Sequence, residues 1–147
     1  MIEFQGSGFC LGVPEEAVDA SQYVFALAPK AGFSAHLTVR FEPVDSEINL
    51  NIHLKNQVSK LEESLEEFTL ISQATGMRGS INGGMLNYEW GQGIGRFKQK
   101  QVLLVSNSQP IRLYTLTTLD LAKNAHISDP TFEQMMRSFS PNEEQLW

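Results

Sequence analysis

Cysteine is nearly absent: one residue, Cys10, in a chain of 147. A lone cysteine rules out an internal disulfide, and cytoplasmic residence is the default expectation. Cys10 sits in Phe9-Cys10-Leu11-Gly12-Val13 with no histidine nearby. It reads as a small apolar strand residue and not as a nucleophile. Histidine is scarce too, with His36, His53 and His126 scattered along the chain. Without a His-x-x-x-His pair or a cysteine pair, a metal site has no sequence support and no cofactor is expected. Basic charge is also short. Lys and Arg number 11 against 17 Asp and Glu, a net charge of −6. Nucleic-acid binding rests on clustered cations that displace counterions, so no nucleic-acid partner is expected. Arg96, Lys98 and Lys100 are the densest basic group, and their alternation reads as the solvated face of one strand. Long apolar runs are missing. None approaches the roughly 18 residues of a membrane-spanning helix, so stable membrane insertion is not expected. The start, Met1-Ile2-Glu3-Phe4-Gln5-Gly6, has neither the basic nor the apolar region of a signal peptide.

What remains is an ordinary globular composition, 41% hydrophobic and 19% charged, long enough for one domain with a usable core. No repeat or linker is visible, so the whole chain reads as a single domain, with its core over about 9–139 and a tail at 140–147. Phe9, Leu11 and Val13 alternate and stop at Pro14, before a polar loop over 14–22. Tyr23-Val24-Phe25-Ala26-Leu27 is apolar at every position, which predicts a strand covered on both sides. After a turn over 29–32, Ala35, Leu37, Val39 and Phe41 alternate with His36, Thr38 and Arg40, the period of a half-buried strand. Leu50, Leu54, Val58, Leu61 and Leu65 then form one helical stripe, with Asp45 or Ser46 as the expected N-cap. Glu66-Glu67 opposes the helix dipole and predicts a stop before Phe68. Those two and Glu62-Glu63 spread over the outer face, as solvated charges do.

A strand is predicted at 68–73, with 77–81 as its continuation or its partner, ending at a turn over Asn82-Gly83-Gly84. A further strand at 85–90 carries Leu86, Tyr88 and Trp90 on one face. Gly91-Gln92-Gly93-Ile94-Gly95 has glycines like a phosphate loop, but a strand follows it where a dinucleotide site needs a helix, so it reads as a hairpin turn. Strands at 96–105 and 111–119 join through Asn107-Ser108-Gln109-Pro110. A last helix is predicted to start at Asp129-Pro130, bury Phe132, Met135, Met136 and Phe139, and end at Pro141. His126 falls in a loop before it. The expected fold is α+β: a mostly antiparallel twisted sheet flanked by two main helices.

Two glutamines break the apolar pattern. Gln57 lies on the edge of the helical stripe, and Gln101 shares a strand face with Phe97, Leu103 and Val105. A buried amide left without partners costs about 1–3 kcal/mol, so something must satisfy these two. The partner is either internal or the backbone of a ligand. No catalytic constellation is visible, and an enzyme is not expected.

Several segments carry a family resemblance. They are Leu65-Glu66-Glu67-Phe68-Thr69-Leu70, Tyr88-Glu89-Trp90, Lys100-Gln101-Val102-Leu103 and Leu116-Thr117-Thr118-Leu119. Their succession, over about 9–139, resembles the DcrB-related domains that act as Eag-type adaptor chaperones of type VI secretion effectors. The resemblance implies a PsbP-like fold and a homodimer without catalysis. It implies an apolar groove that shields N-terminal transmembrane helices of an effector and aids loading onto the secretion spike. Matching client-binding positions are Tyr23, Phe25 and Leu37 on the early strands, Leu61 and Leu65 on the helix, and Phe97 later. Gln57 and Gln101 match the polar anchors. The chain departs from the family after Pro14, where Glu15-Glu16-Ala17-Val18-Asp19 stands in place of a Trp-containing turn. Tyr23 and Phe25 also stand where the family has aliphatic residues. The alternative is a PsbP-like or DcrB-like scaffold or binding protein with a different partner.

Overall fold

A computed structural model describes residues 1–6, 8–17, 20–30, 32–44, 48–106 and 111–141. Strands β1 (Ile2–Gly6) and β2 (Phe9–Val13) form an antiparallel hairpin of their own. Its register places Ile2 against Val13, Phe4 against Leu11 and Gly6 against Phe9. One face is therefore apolar, and the other carries Glu3, Gln5 and Cys10. β2 ends where Pro14 withdraws a backbone donor.

Six further strands make the main sheet: β3 (Gln22–Ala26), β4 (His36–Pro43), β5 (Thr69–Arg78), β6 (Ile81–Trp90), β7 (Phe97–Val105) and β8 (Arg112–Leu121). They lie in the order β3-β4-β8-β7-β6-β5, and every pair is antiparallel. Helix α1 (Leu50–Ser64) covers one face, packing Leu50 and Leu54 on Leu86, Tyr88, Leu103 and Leu113. Helix α2 (Ala125–Ser138) covers the other, packing Phe132 and Met136 on Leu37, Leu104, Tyr114 and Leu116. Each of these buried side chains contributes roughly 1.5–3 kcal/mol, which holds the three layers together. The predicted α+β sheet with two flanking helices is the observed architecture.

Several local expectations are corrected. β3 is an edge strand, and every residue in it is exposed. An apolar run shows that a strand suits burial on both faces, but not that the chain has enough layers to cover it. The cap of α1 is Asn49, whose side chain accepts from the Ile52 N–H at 3.3 Å; Asp45 and Ser46 lie outside the described residues. Met77 and Arg78 continue the strand predicted at 68–73, the first of the two expected readings, in one β5 with a register shift between Leu70 and Ser72, while Ile81 opens β6. The turn after β5 falls at Gly79-Ser80, where Gly79 takes a φ of 62°. Asn82, Gly83 and Gly84 lie inside β6. Gly84 is there for packing, because a Cβ on it would sit 3.0 Å from Leu54 Cδ1.

α2 begins at Ala125, four residues before Asp129, so His126 and Pro130 are inside it. Burial of Ala125 and Ser128 outweighs the backbone bond that Pro130 cannot make. Ser128 also donates to the buried Asp120 carboxylate at 2.5 Å. The connection 107–110 and the tail 142–147 lie outside the described residues. Lastly, Arg96, Lys98 and Lys100 are half-buried, not a free solvated face. Alternation assigns residues to a side of a strand; here α2 packs over that side, and Lys98 pairs with its Asp129 at 3.0 Å.

Candidate functional site

Period-two alternation in β7 sends Phe97, Gln99, Gln101, Leu103 and Val105 to the α1 side. On α1, Gln57 follows Leu54 by three residues and stays on the inward edge. Gln57 Nε2 donates to Gln101 Oε1 at 3.5 Å. Gln101 Nε2 in turn donates to the Tyr88 hydroxyl at 2.9 Å. Gln101 is 7% exposed and Tyr88 1%. Burial pushes the Tyr88 phenol up to about 12, while the bond from Gln101 acts in the opposite direction. The internal partner that a buried Gln101 requires is therefore present. Gln57 is half-buried and forms the outer end of the chain.

An aromatic layer continues this line along the sheet. Trp90 Nε1 donates to Gln99 Oε1 at 2.7 Å, and the Trp90 and Phe97 rings lie 4.7 Å apart. Leu61 and Leu65 are half-buried against the same cluster. Five of the eight residues singled out from sequence thus share the α1 side: Gln57, Gln101, Leu61, Leu65 and Phe97. The other three do not join them. Phe25 stands opposite Leu37 and Tyr23 opposite Val39, which puts them on the α2 side of the sheet. Tyr23 and Phe25 are 62% and 51% exposed, whereas Leu37 is a core residue.

Two apolar surfaces escaped sequence reasoning. The first is a depression of about 260 Å³ on the α2 side of β5, β6 and β7, beyond the helix. Ala74, Gly76, Gly83, Met85, Val102 and Leu104 line it. A Cβ at Gly76 would meet nothing within 4 Å. The signal was the small-residue alternation Ala74-x-Gly76, and it was hidden because the glycines of 82–84 read as a turn. The second is a groove of about 640 Å³ beside the hairpin, where Ile2, Phe4 and Val13 face Ala17 and Ala20. Phe9 and Leu11 extend the same apolar face into solvent. Hydrocarbon left uncovered on this scale suits contact with another apolar surface. Among the described residues no three His, Cys, Asp or Glu side chains are placed to hold a metal ion, and no helix is long and apolar enough to cross a membrane.

No protein-family model and no curated protein matches the sequence. Solved structures do. Cyanobacterial PsbP (CyanoP) from Synechocystis sp. PCC 6803 superposes with a TM-score of 0.51 at 11% identity, covering 88% of this chain and 96% of that one. The fold is PsbP-like. The same architecture occurs in PA94 from Pseudomonas aeruginosa, a protein of unknown function, with a TM-score of 0.75, 17% identity and 97% of both chains covered. LpqN of Mycobacterium tuberculosis, involved in cell envelope biogenesis, matches at a TM-score of 0.54 and 11% identity, over 76% of this chain and 79% of its own. At these identities the likeness establishes the PsbP-like fold.

Proposed function

We propose that the protein is a non-catalytic adaptor chaperone that shields transmembrane helices of a type VI secretion effector before export. The observation that carries this reading is the glycine-floored apolar depression on β5–β7. A transmembrane helix in water exposes a large apolar surface, and a chaperone must cover it with comparable area. The open face of Gly76, where a Cβ would meet nothing within 4 Å, lets a client backbone approach closely, by the same logic that places small residues between membrane helices. Tyr23, Phe25 and the hairpin face add apolar area at the opposite edge. Gln57, held in place from behind by Gln101, lies on the other face of the sheet beside α1, where it offers a polar contact to a second segment of the client. Leu61, Leu65 and Phe97 lie with Gln57 on the α1 side, and Leu37 belongs to the core under α2. In this reading two copies cradle the client and present it to the secretion spike.

The test is affinity purification of the tagged protein from its native host without detergent, followed by identification of what co-elutes. A large protein with apolar N-terminal segments is the expected companion. Gly76→Leu fills the depression where no neighbour stands within 4 Å, so it should release the client and leave the fold intact. Elution with soluble partners alone would sink the proposal. A second reading, a scaffold or binding protein with a different partner, is favoured by one observation. Gln101 finds both a donor and an acceptor inside its own fold and has no need of a client.

A further inference from the structure

A separate polar cavity of about 210 Å³ lies between β6–β8 and α2, on the side of the sheet away from the amide pair. Asn87 and Lys100 stand directly opposite each other on β6 and β7 at its floor. Asn87 Oδ1 is buried and has no hydrogen-bond donor. The Lys100 ammonium has no carboxylate partner among the described residues, unlike neighbouring Lys98, which pairs with Asp129. Glu133 of α2 lines the exposed rim of the same cavity and carries negative charge that it shares with Arg137 at 3.5 Å. Phe132 and Met136 supply an apolar wall.

A buried acceptor without a donor is costly unless something answers it, and the half-buried Lys100 beside it leaves a cation free to hold an anionic group. An anion alone would satisfy Lys100 and leave Asn87 Oδ1 bare. An amine alone would do the reverse. Directly opposed residues on antiparallel strands have Cβ atoms about 4.5–5.5 Å apart, a spacing that suits one small molecule with both groups. The cavity is well above the size of one water and below the roughly 300 Å³ at which drug-sized pockets begin.

We propose that this cavity binds a small zwitterion of the amino-acid class. Its carboxylate meets the Lys100 ammonium, and its ammonium donates to Asn87 Oδ1 with Glu133 beyond. The site is independent of the apolar surfaces and of any client.

The experiment is an NMR titration of the isotope-labelled full chain with L-alanine and glycine, with acetate and methylammonium as half-probes. Saturable shifts of the Asn87 side-chain amide are expected with the amino acids. Each half-probe should bind at least about tenfold more weakly, the worth of one charge-assisted bond. Lys100→Met should remove the amino-acid response. Glu133→Gln, on the outer turn of α2, should weaken L-alanine several-fold and leave acetate unchanged; this variant keeps the test sharp if Lys100→Met does not fold. No saturable shift with either amino acid would mean that the cavity holds water only and would overturn the proposal. Equal binding of acetate and L-alanine would overturn it as well.

Discussion

Leucine in place of Gln101 removes the donor to Tyr88 and the acceptor for Gln57 in one step. The Tyr88 hydroxyl is then buried without its donor, and the variant should lose about 1–3 kcal/mol of stability by urea denaturation. Adding Tyr88→Phe should cost little more, because both polar partners are then gone together. Fully additive losses would show that the two groups do not depend on each other. The same contact governs alkaline behaviour. The folded-state value of Tyr88 is raised from 10.0 to about 12, so the folded chain keeps a proton that the unfolded chain has lost. The stability this contributes is complete below pH 10 and disappears as pH rises toward 12. Denaturation midpoints across that window should fall more steeply for the natural chain than for Tyr88→Phe. Parallel curves would remove Tyr88 from the account.

Between elements, the joint that stands out is made by a single side chain. The Arg78 guanidinium, at the end of β5, donates to the backbone carbonyls of Met136 at 2.9 Å and Phe139 at 2.6 Å, and also to that of Arg137. The last carbonyls of a helix have no partner within it, and a cation there also opposes the negative end of the dipole. Arg78→Met should therefore loosen the last turn of α2 at a cost of about 1–3 kcal/mol. Amide exchange should accelerate at 135–139 first; unchanged protection there would refute the clamp. The α1–sheet joint depends instead on an absence. Gly84→Ala would push a methyl against Leu54 and should cost about 1–3 kcal/mol by overpacking. In a Leu54→Ala background most of that added cost should vanish.

Across the whole molecule, the hairpin β1–β2 forms a sheet of its own and the remaining strands form another. Both helices pack on the larger sheet. A chain beginning at residue 20 should therefore unfold cooperatively, with a Tm within about 4 °C of the full chain, the shift expected for about 1 kcal/mol at this size. Loss of cooperative melting would show that the hairpin is part of the core. Under the proposed function the truncated chain also loses apolar area, so it should retain the client less well than the full chain does.

The amino-acid sequence by itself determined the element types from β2 onward, the antiparallel meander and the inward faces of β4, α1, β6 and α2, while β1 was not read from it. It could do so because periods of two and about 3.6 follow directly from strand and helix geometry. It also marked Gln101 as an amide in need of a partner. Tertiary structure alone decided the rest. Whether Tyr23 and Phe25 are covered depends on the strand order, which places β3 at an edge. Whether Gly84 turns the chain or lets a helix approach depends on where Leu54 of α1 comes to rest. Whether Lys100 faces open solvent or a cavity depends on α2, which follows it in the chain and returns over its strand. Each of these is a contact between residues far apart in sequence, and local periodicity carries no record of such contacts.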